Sequence, residues 1–186
     1  MTSIITGSTA LDLGRHRERA DAVARLDALA HATGVSAVDL EPLFERDRGV
    51  RGILRAREAI ALMDAGGTSP KETWLRLLVL DAALPKPKAQ FMVHNGDPHP
   101  LAYLDLGWGD YQVAAEYDGD QHPTNRRQYL KDIGRLQMLE RLGWAVVRVV
   151  AEDHPLDVVN RIRQALISRR EGWWGGCVER ISGVGP

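Results

Sequence analysis

The chain has 186 residues, of which 44% are hydrophobic and 26% charged, a composition that predicts one soluble globular domain, with or without a helical extension. Its net charge of −1 gives no global sign of a nucleic-acid partner, so such a partner has to be argued from local groups of charge. One cysteine, Cys177, excludes an intramolecular disulfide, and no segment resembles a signal peptide or a membrane span, so we expect a cytoplasmic protein.

The N-terminal third of the sequence is typical of helices separated by short breaks. Apolar residues recur at helical spacing, and Gly34 marks the end of one helix. Ser36 or Asp39 is expected to cap the next helix. We interpret residues 1–66 as a helical N-terminal extension, because Gly66-Gly67-Thr68 is the best candidate for a domain boundary.

A helix followed by three strands is predicted next. Ser69 is expected to cap this helix, and Glu72 completes a capping box. The three strands are predicted over residues 89–94, 101–106 and 112–118, with turns rich in glycine and aspartate between them. We expect them to pair as an antiparallel meander.

The last predicted elements alternate between helix and strand. A long amphipathic helix is expected to begin at Thr124 or Asn125 and to end at Gly143. Residues 144–150 are mostly apolar and rich in valine, which indicates a strand buried on both faces. A final helix is predicted over residues 153–169.

The order of these elements defines the fold class. Over residues 67–170 it predicts an α/β sandwich with a mixed sheet. No glycine-rich phosphate loop precedes a helix, which argues against a nucleotide-binding Rossmann domain. Residues 171–186 lack periodicity and are predicted to be an irregular tail.

The end of the third predicted strand carries the most informative residues. Glu116 and Asp118 are two positions apart, so their side chains share one face, and His122 follows after a turn. Two carboxylates beside an imidazole suit a divalent metal ion and an activated water. Asp105, on the preceding strand, can lie across from them, depending on the register. Asp105 and Asp118 could also be ordinary turn residues, and His122 could be an ordinary loop residue. A purely structural role is harder to assign to Glu116, because burying an unpaired carboxylate is costly.

Several polar residues follow one another in a set order along the predicted core: Asp105, Glu116-Tyr117-Asp118-Gly119, His122, Asp132, Arg135 and Arg148. With the element order, this set resembles the very-short-patch-repair-endonuclease-like domains of the PD-(D/E)XK superfamily. The likeness covers residues 69–166. It implies a restriction-endonuclease-like α-β-β-β-α-β-α core with a mixed sheet.

The resemblance also implies a function: hydrolysis of phosphodiester bonds in DNA by a Mg²⁺-dependent endonuclease, with Mn²⁺ as a possible substitute. Asp105 and Glu116 match metal ligands of the superfamily, and Glu72 matches a supporting helical glutamate. Asp118 stands where the superfamily usually has lysine, and an aspartate cannot supply that positive charge. Asp118 is then either a third metal ligand, with His122 as the proton-transfer residue, or part of a degenerate site that binds nucleic acid or protein without cutting.

Residues of the long helix are expected to assist this site. Arg126, Arg127 and Lys131 lie near its positive dipole end and are predicted to contact DNA phosphates. Asp132 and Arg135 either form a plain surface ion pair or face the site, where they would orient its histidine or contact a phosphate. Cutting of both strands by a one-site fold would favour a homodimer.

Overall fold

The computed structural model describes residues 4–119 and 126–181. In that part of the chain the elements are α1 (Ile4–His16), α2 (Arg19–Thr33), α3 (Ala37–Arg46), α4 (Ile53–Ala61), α5 (Pro70–Asp81), β1 (Lys88–Val93), β2 (Ala102–Trp108), a 3-10 helix (Gly109–Tyr111), β3 (Val113–Tyr117), α6 (Arg126–Arg141), β4 (Ala145–Val149) and α7 (Pro155–Ile181). The α/β class is confirmed, and from α5 onward the predicted order α-β-β-β-α-β-α is observed.

The chain divides into two units, Met1–Leu77 and Leu78–Pro186. Helix ends in the first unit follow local signals in the sequence. Gly34, with a φ of 71°, ends α2 and donates its N–H to a carbonyl of that helix, as predicted. Ser36 caps α3, and its N–H is bound by the Asp39 carboxylate at 2.9 Å.

The predicted helical extension corresponds to α1–α4, but the first two thirds of α5, up to Leu77, also belong to this unit. The reason is a buried polar contact between α2 and α5. The carboxylate of Asp27 accepts hydrogen bonds from the Thr73 hydroxyl and the Arg76 guanidinium, each at 2.7 Å. Leu77 adds to the same apolar core.

The second unit is built on a four-stranded sheet in the order β1-β2-β3-β4. β1, β2 and β3 form the predicted antiparallel meander, and β4 pairs parallel to β3. Leu106 lies opposite Ala115 between β2 and β3, and Glu116 lies opposite Arg148 between β3 and β4. The mixed sheet is therefore confirmed, and its register places Asp105 of β2, Glu116 of β3 and Arg148 of β4 near one another.

β4 is less buried than predicted. Ala145, Val146 and Val147 are only partly buried and Arg148 is exposed, whereas Val149 is fully buried. The prediction of a strand buried on both faces was wrong because β4 lies at one end of the strand order, where one edge has no neighbouring strand within the described sheet.

Helix α6 is amphipathic, as predicted. Leu139 is fully buried, and Ile133 and Leu136 are partly buried. The helix ends where glycine was predicted to end it: Gly143 has a φ of 84° and donates its N–H to the carbonyl of Glu140 at 2.9 Å. The two candidate caps at positions 124 and 125 lie outside the described residues.

Helix α7 runs further than predicted. The structure extends it to Ile181, so residues 171–181, predicted as an irregular tail, are helical. Gly175 and Gly176 each cost about 1 kcal/mol relative to alanine, but an established helix gains a backbone hydrogen bond with each residue added. None of the helices in the described ranges is both long and apolar enough to cross a bilayer.

Candidate active site

Polar residues of neighbouring strands line one pocket in the second unit, which we call the acidic pocket. It has a volume of about 200 Å³, and β2, β3, β4 and α6 each contribute to its wall. The residues that line it are Asp105, Glu116, Tyr117, Asp118, Asp132, Arg135, Leu136 and Arg148. The three predicted metal-binding carboxylates and both predicted polar residues of α6 therefore face the same space.

Asp105 is held at the point where β2 and β3 separate. The regular pairing between these strands ends at Leu106 and Ala115, and the next residues toward the pocket are Asp105 and Glu116. Instead of a backbone carbonyl, a carboxylate oxygen of Asp105 accepts the N–H of Tyr117 at 2.8 Å. This contact fixes the Asp105 side chain against the end of β3, beside Glu116 and on the same face of the sheet.

Glu116 is bound by the guanidinium group of Arg135. Nη1 of Arg135 lies 2.9 Å from Oε2, and Nη2 bonds Oε1 and also the carbonyl of Tyr103 at 2.8 Å. The side chain of Glu116 is only 13% exposed, so this two-pronged pair offsets the cost of removing its charge from water.

The same contact stabilises the charged form of Arg135. The hydrogen bonds to Glu116 raise the pKa of Arg135 above its ordinary value, against the opposing effect of burial, and the charges of Glu116, Asp105 and Asp132 raise it further. Asp132 and Arg135 are thus not a plain surface pair: both face the acidic pocket, and the hydrogen-bonded partner of Arg135 is Glu116.

Asp118 is bound by Arg148 of the neighbouring strand. Nη2 of Arg148 donates to a carboxylate oxygen of Asp118, and the backbone N–H of Asp118 donates to the carbonyl of Val149 at 2.7 Å. Both side chains of this pair are open to solvent, 49% exposed for Arg148 and 39% for Asp118. Arg148 was part of the ordered set behind the resemblance but was given no role at the site, although a charge within a valine-rich strand was a signal that could have suggested one.

Two uncharacterized proteins of Mycobacterium tuberculosis are similar to this chain: MT2308 of strain CDC 1551 / Oshkosh and Rv2248 of strain ATCC 25618 / H37Rv. Each is 32% identical to it over 145 residues, which cover 78% of this chain and 53% of the relative. The chain therefore spans about half the length of the curated relatives it matches. No protein-family model and no solved structure matches the chain.

Other predicted site residues lie apart from this pocket or cannot be placed. His122 lies outside the described residues. Arg126 and Lys131 are exposed on α6, and Arg127 belongs to the same helix, its side chain being outside the described part of the structure.

Glu72 belongs to the first unit, at the start of α5. Its carboxylate accepts the N–H of Thr68 at 3.1 Å and the Thr68 hydroxyl, while its own N–H donates to the Ser69 hydroxyl at 3.2 Å. Ser69 thus caps the helix as predicted, whereas the carboxylate of Glu72, predicted to complete a capping box with Ser69, binds Thr68. A supporting role of Glu72 in catalysis stays a prediction.

The acidic pocket suits a divalent cation by the chemistry of its donors. Asp105, Glu116 and Asp118 offer carboxylate oxygens, the ligands that Mg²⁺ takes in proteins. Within the described ranges, however, no three or more histidine, cysteine, aspartate or glutamate side chains are arranged to hold an ion. Arginines bind two of the three carboxylates, those of Glu116 and Asp118.

Proposed function

We propose that this chain is a metal-dependent endonuclease of the PD-(D/E)XK type that hydrolyses phosphodiester bonds in DNA. One observation carries the proposal. Asp105 and Glu116 lie beside each other on adjacent antiparallel strands, and both line one pocket together with Asp118. Carboxylates that line one pocket repel one another unless cations balance them.

The proposed cofactor is Mg²⁺, with Mn²⁺ as a substitute. Mg²⁺ keeps several of its waters and takes only one or two carboxylates, a number that Asp105 and Glu116 supply. When bound, the cation would lower the pKa of a water molecule and neutralise the charge that builds up on the phosphate. Asp118 would be a further ligand once Arg148 leaves it.

The remaining roles fall to residues that orient groups or move protons. The N–H of Tyr117 holds Asp105 in place, and Arg135 holds Glu116. We assign proton transfer to His122, because the pKa of an imidazole lies near neutrality. Asp132, on the same wall as Arg135, would orient this histidine.

The proposed substrate contacts lie along α6. Arg126 and Lys131 are exposed near its N-terminal end, where the helix dipole favours an anion, and Arg127 joins them in the sequence. These cations would position the DNA backbone without reading its bases. Cutting both strands with one such site per chain would favour a homodimer, and the single cysteine is consistent with the proposed cytoplasmic location.

A second candidate function is a nuclease fold that binds nucleic acid or protein without cutting. The observation that favours it is the pairing of Glu116 with Arg135 and of Asp118 with Arg148. These pairs neutralise two carboxylates with no metal ion at all. The two candidates differ in one respect that can be tested, which is whether carboxylate removal abolishes strand cleavage.

Plasmid nicking in Mn²⁺ tests the proposal. We expect the wild type to nick supercoiled DNA, and Asp105→Ala and His122→Ala to lose at least about a hundredfold in rate, because one removes a ligand and the other a proton-transfer group. Asp110→Ala is the matched control: Asp110 is exposed in the 3-10 helix, and the acidic pocket does not include it. Nicking that persists unchanged in both site variants would overturn the assignment, and absence of nicking by the wild type would favour the binding module.

A further inference from the structure

Arg148 is a charged residue in an otherwise apolar strand. It lies in β4 between Val147 and Val149, and its Cα is opposite that of Glu116 in the parallel pairing. Strands are enriched in β-branched and aromatic residues, so strand propensity does not account for a lone cation among valines. The pairing directs this guanidinium group to the acidic pocket, which it lines.

The two arginines of the pocket differ in how firmly they are held. Arg135 contacts both carboxylate oxygens of Glu116 and the carbonyl of Tyr103. Arg148 binds Asp118 through Nη2, and about half of its side chain is exposed. An ion pair this exposed contributes little to stability, so parting it is cheap. Arg148 is therefore the arginine that a competing anion can draw away.

We propose that Arg148 leaves Asp118 when DNA binds and takes up a phosphate oxygen next to the cleaved bond, supplying the positive charge that Asp118 cannot. The inference rests on the proposed function and adds a substrate-binding residue to it. A guanidinium group donates in a planar fork that matches phosphate oxygens. The departure of Arg148 also frees the Asp118 carboxylate for a cation, so one movement allows both the phosphate and the cation to bind.

This exchange makes two measurable predictions for Arg148→Gln. Affinity for DNA falls, because a charge-assisted hydrogen bond and one phosphate contact are lost. Affinity for a divalent cation in the absence of DNA rises, because Asp118 no longer has a guanidinium group competing for it. A variant that merely damaged the fold would lower both affinities, so the opposite signs separate the two explanations.

The DNA measurement uses a short fluorescent duplex and a series of salt concentrations, in an Asp105→Asn background that does not cut and keeps both arginine pairs. We expect adding Arg148→Gln to weaken binding about tenfold at fixed salt. The slope of log affinity against log salt should shrink by about one. Arg148→Lys should keep the slope and recover part of the affinity, since it retains the charge but not the fork.

The metal measurement is calorimetric titration of Mn²⁺ into DNA-free protein that carries Asp105. We expect Arg148→Gln to bind Mn²⁺ up to about fivefold more tightly than the wild type. This factor corresponds to the free energy that an exposed ion pair contributes, which the cation no longer has to overcome. Arg141→Gln is the matched control for both measurements, since Arg141 is an exposed arginine in the last turn of α6 and does not line the pocket. It should leave the salt slope and the metal affinity unchanged.

Failure of this inference can be told apart from failure of the proposed function. If Mn²⁺ binds and the wild type cuts, but Arg148→Gln keeps the wild-type salt slope, the proposed function stands and the role of Arg148 is overturned. If the slope shrinks although no metal binds and nothing is cut, Arg148 is still a phosphate-binding residue and the nuclease proposal fails. A chain that binds no DNA at all overturns the role of Arg148 as well.

Discussion

Two ion pairs join the same chemical groups in opposite surroundings. In the first unit Arg76 binds Asp27 at 2.7 Å, with side chains only 5% and 0% exposed. In the second unit Arg148 binds Asp118 with both side chains open to solvent. The buried pair cannot be reached by a ligand and holds helices together, whereas the exposed pair can open toward a phosphate or a cation. The two pairs differ in accessibility and not in the identity of their residues.

The carboxylate of Asp27 in the buried pair is surrounded by hydrogen-bond donors. It accepts hydrogen bonds from Thr73, Arg76 and the N–H of Asp64, each at 2.7 Å. Gly67 packs so closely that a side chain there would meet the Asp27 carboxylate at 2.6 Å. Every oxygen of Asp27 is thus engaged, which is how a buried charge is tolerated.

The largest effect expected from this comparison is on stability, in Asp27→Asn. The change leaves the Arg76 guanidinium buried without its counter-charge, so we expect the free energy of unfolding to fall by about 3–5 kcal/mol. Urea unfolding followed by circular dichroism measures this. Asp21→Asn is the matched control in the same helix, because Asp21 pairs with Arg25 at the surface and should cost at most about 1 kcal/mol. Equal losses in both variants would show that burial does not set the value of these pairs.

A smaller effect is expected from Arg135→Gln, whose pair lies between the two extremes. Glu116 is largely buried and Arg135 about one third exposed. Removing the cation leaves a mostly buried carboxylate without its charged partner, at a cost of about 1–3 kcal/mol of unfolding free energy. The same urea experiment checks it, with Arg141→Gln expected to stay within about 0.5 kcal/mol of the wild type. A cost as small as that of the control would mean that Arg135, like Arg148, is free to leave its partner.

The fold could be predicted from the sequence wherever local patterns decide it. Ser69 and Gly143 mark helix ends by their own backbone chemistry, and glycine-rich turns separate the strands. The exposure of β4 could not be predicted, because its apolar sequence does not show whether another strand will pair beyond it. The length of α7 was predicted wrongly for a different reason. The low helix propensity of Gly175 and Gly176 weakens a helix but does not by itself end one.

Some features of the candidate site could likewise be predicted from local patterns, and others could not. The shared face of Glu116 and Asp118 follows from the alternation of side chains along a strand, and the place of Asp105 needed only one register. The partners of these acids come from elsewhere in the fold: Arg135 from the docking of α6 and Arg148 from a parallel pairing. Such contacts join residues distant in sequence, and no local pattern encodes them. Asp27 had a signal, since it lies on the apolar face of α2 with Val23 and Ala30.

Calorimetric titration of Mn²⁺ into the wild type and into Glu116→Gln shows whether the acidic pocket holds a metal ion. We expect the wild type to bind the ion at millimolar concentration or below, and Glu116→Gln to lose most of this affinity because a carboxylate ligand has become a neutral amide. Asp110→Asn is the control and should bind like the wild type. No binding by the wild type at millimolar Mn²⁺, or equal binding by wild type and Glu116→Gln, would contradict a metal-dependent active site in the acidic pocket.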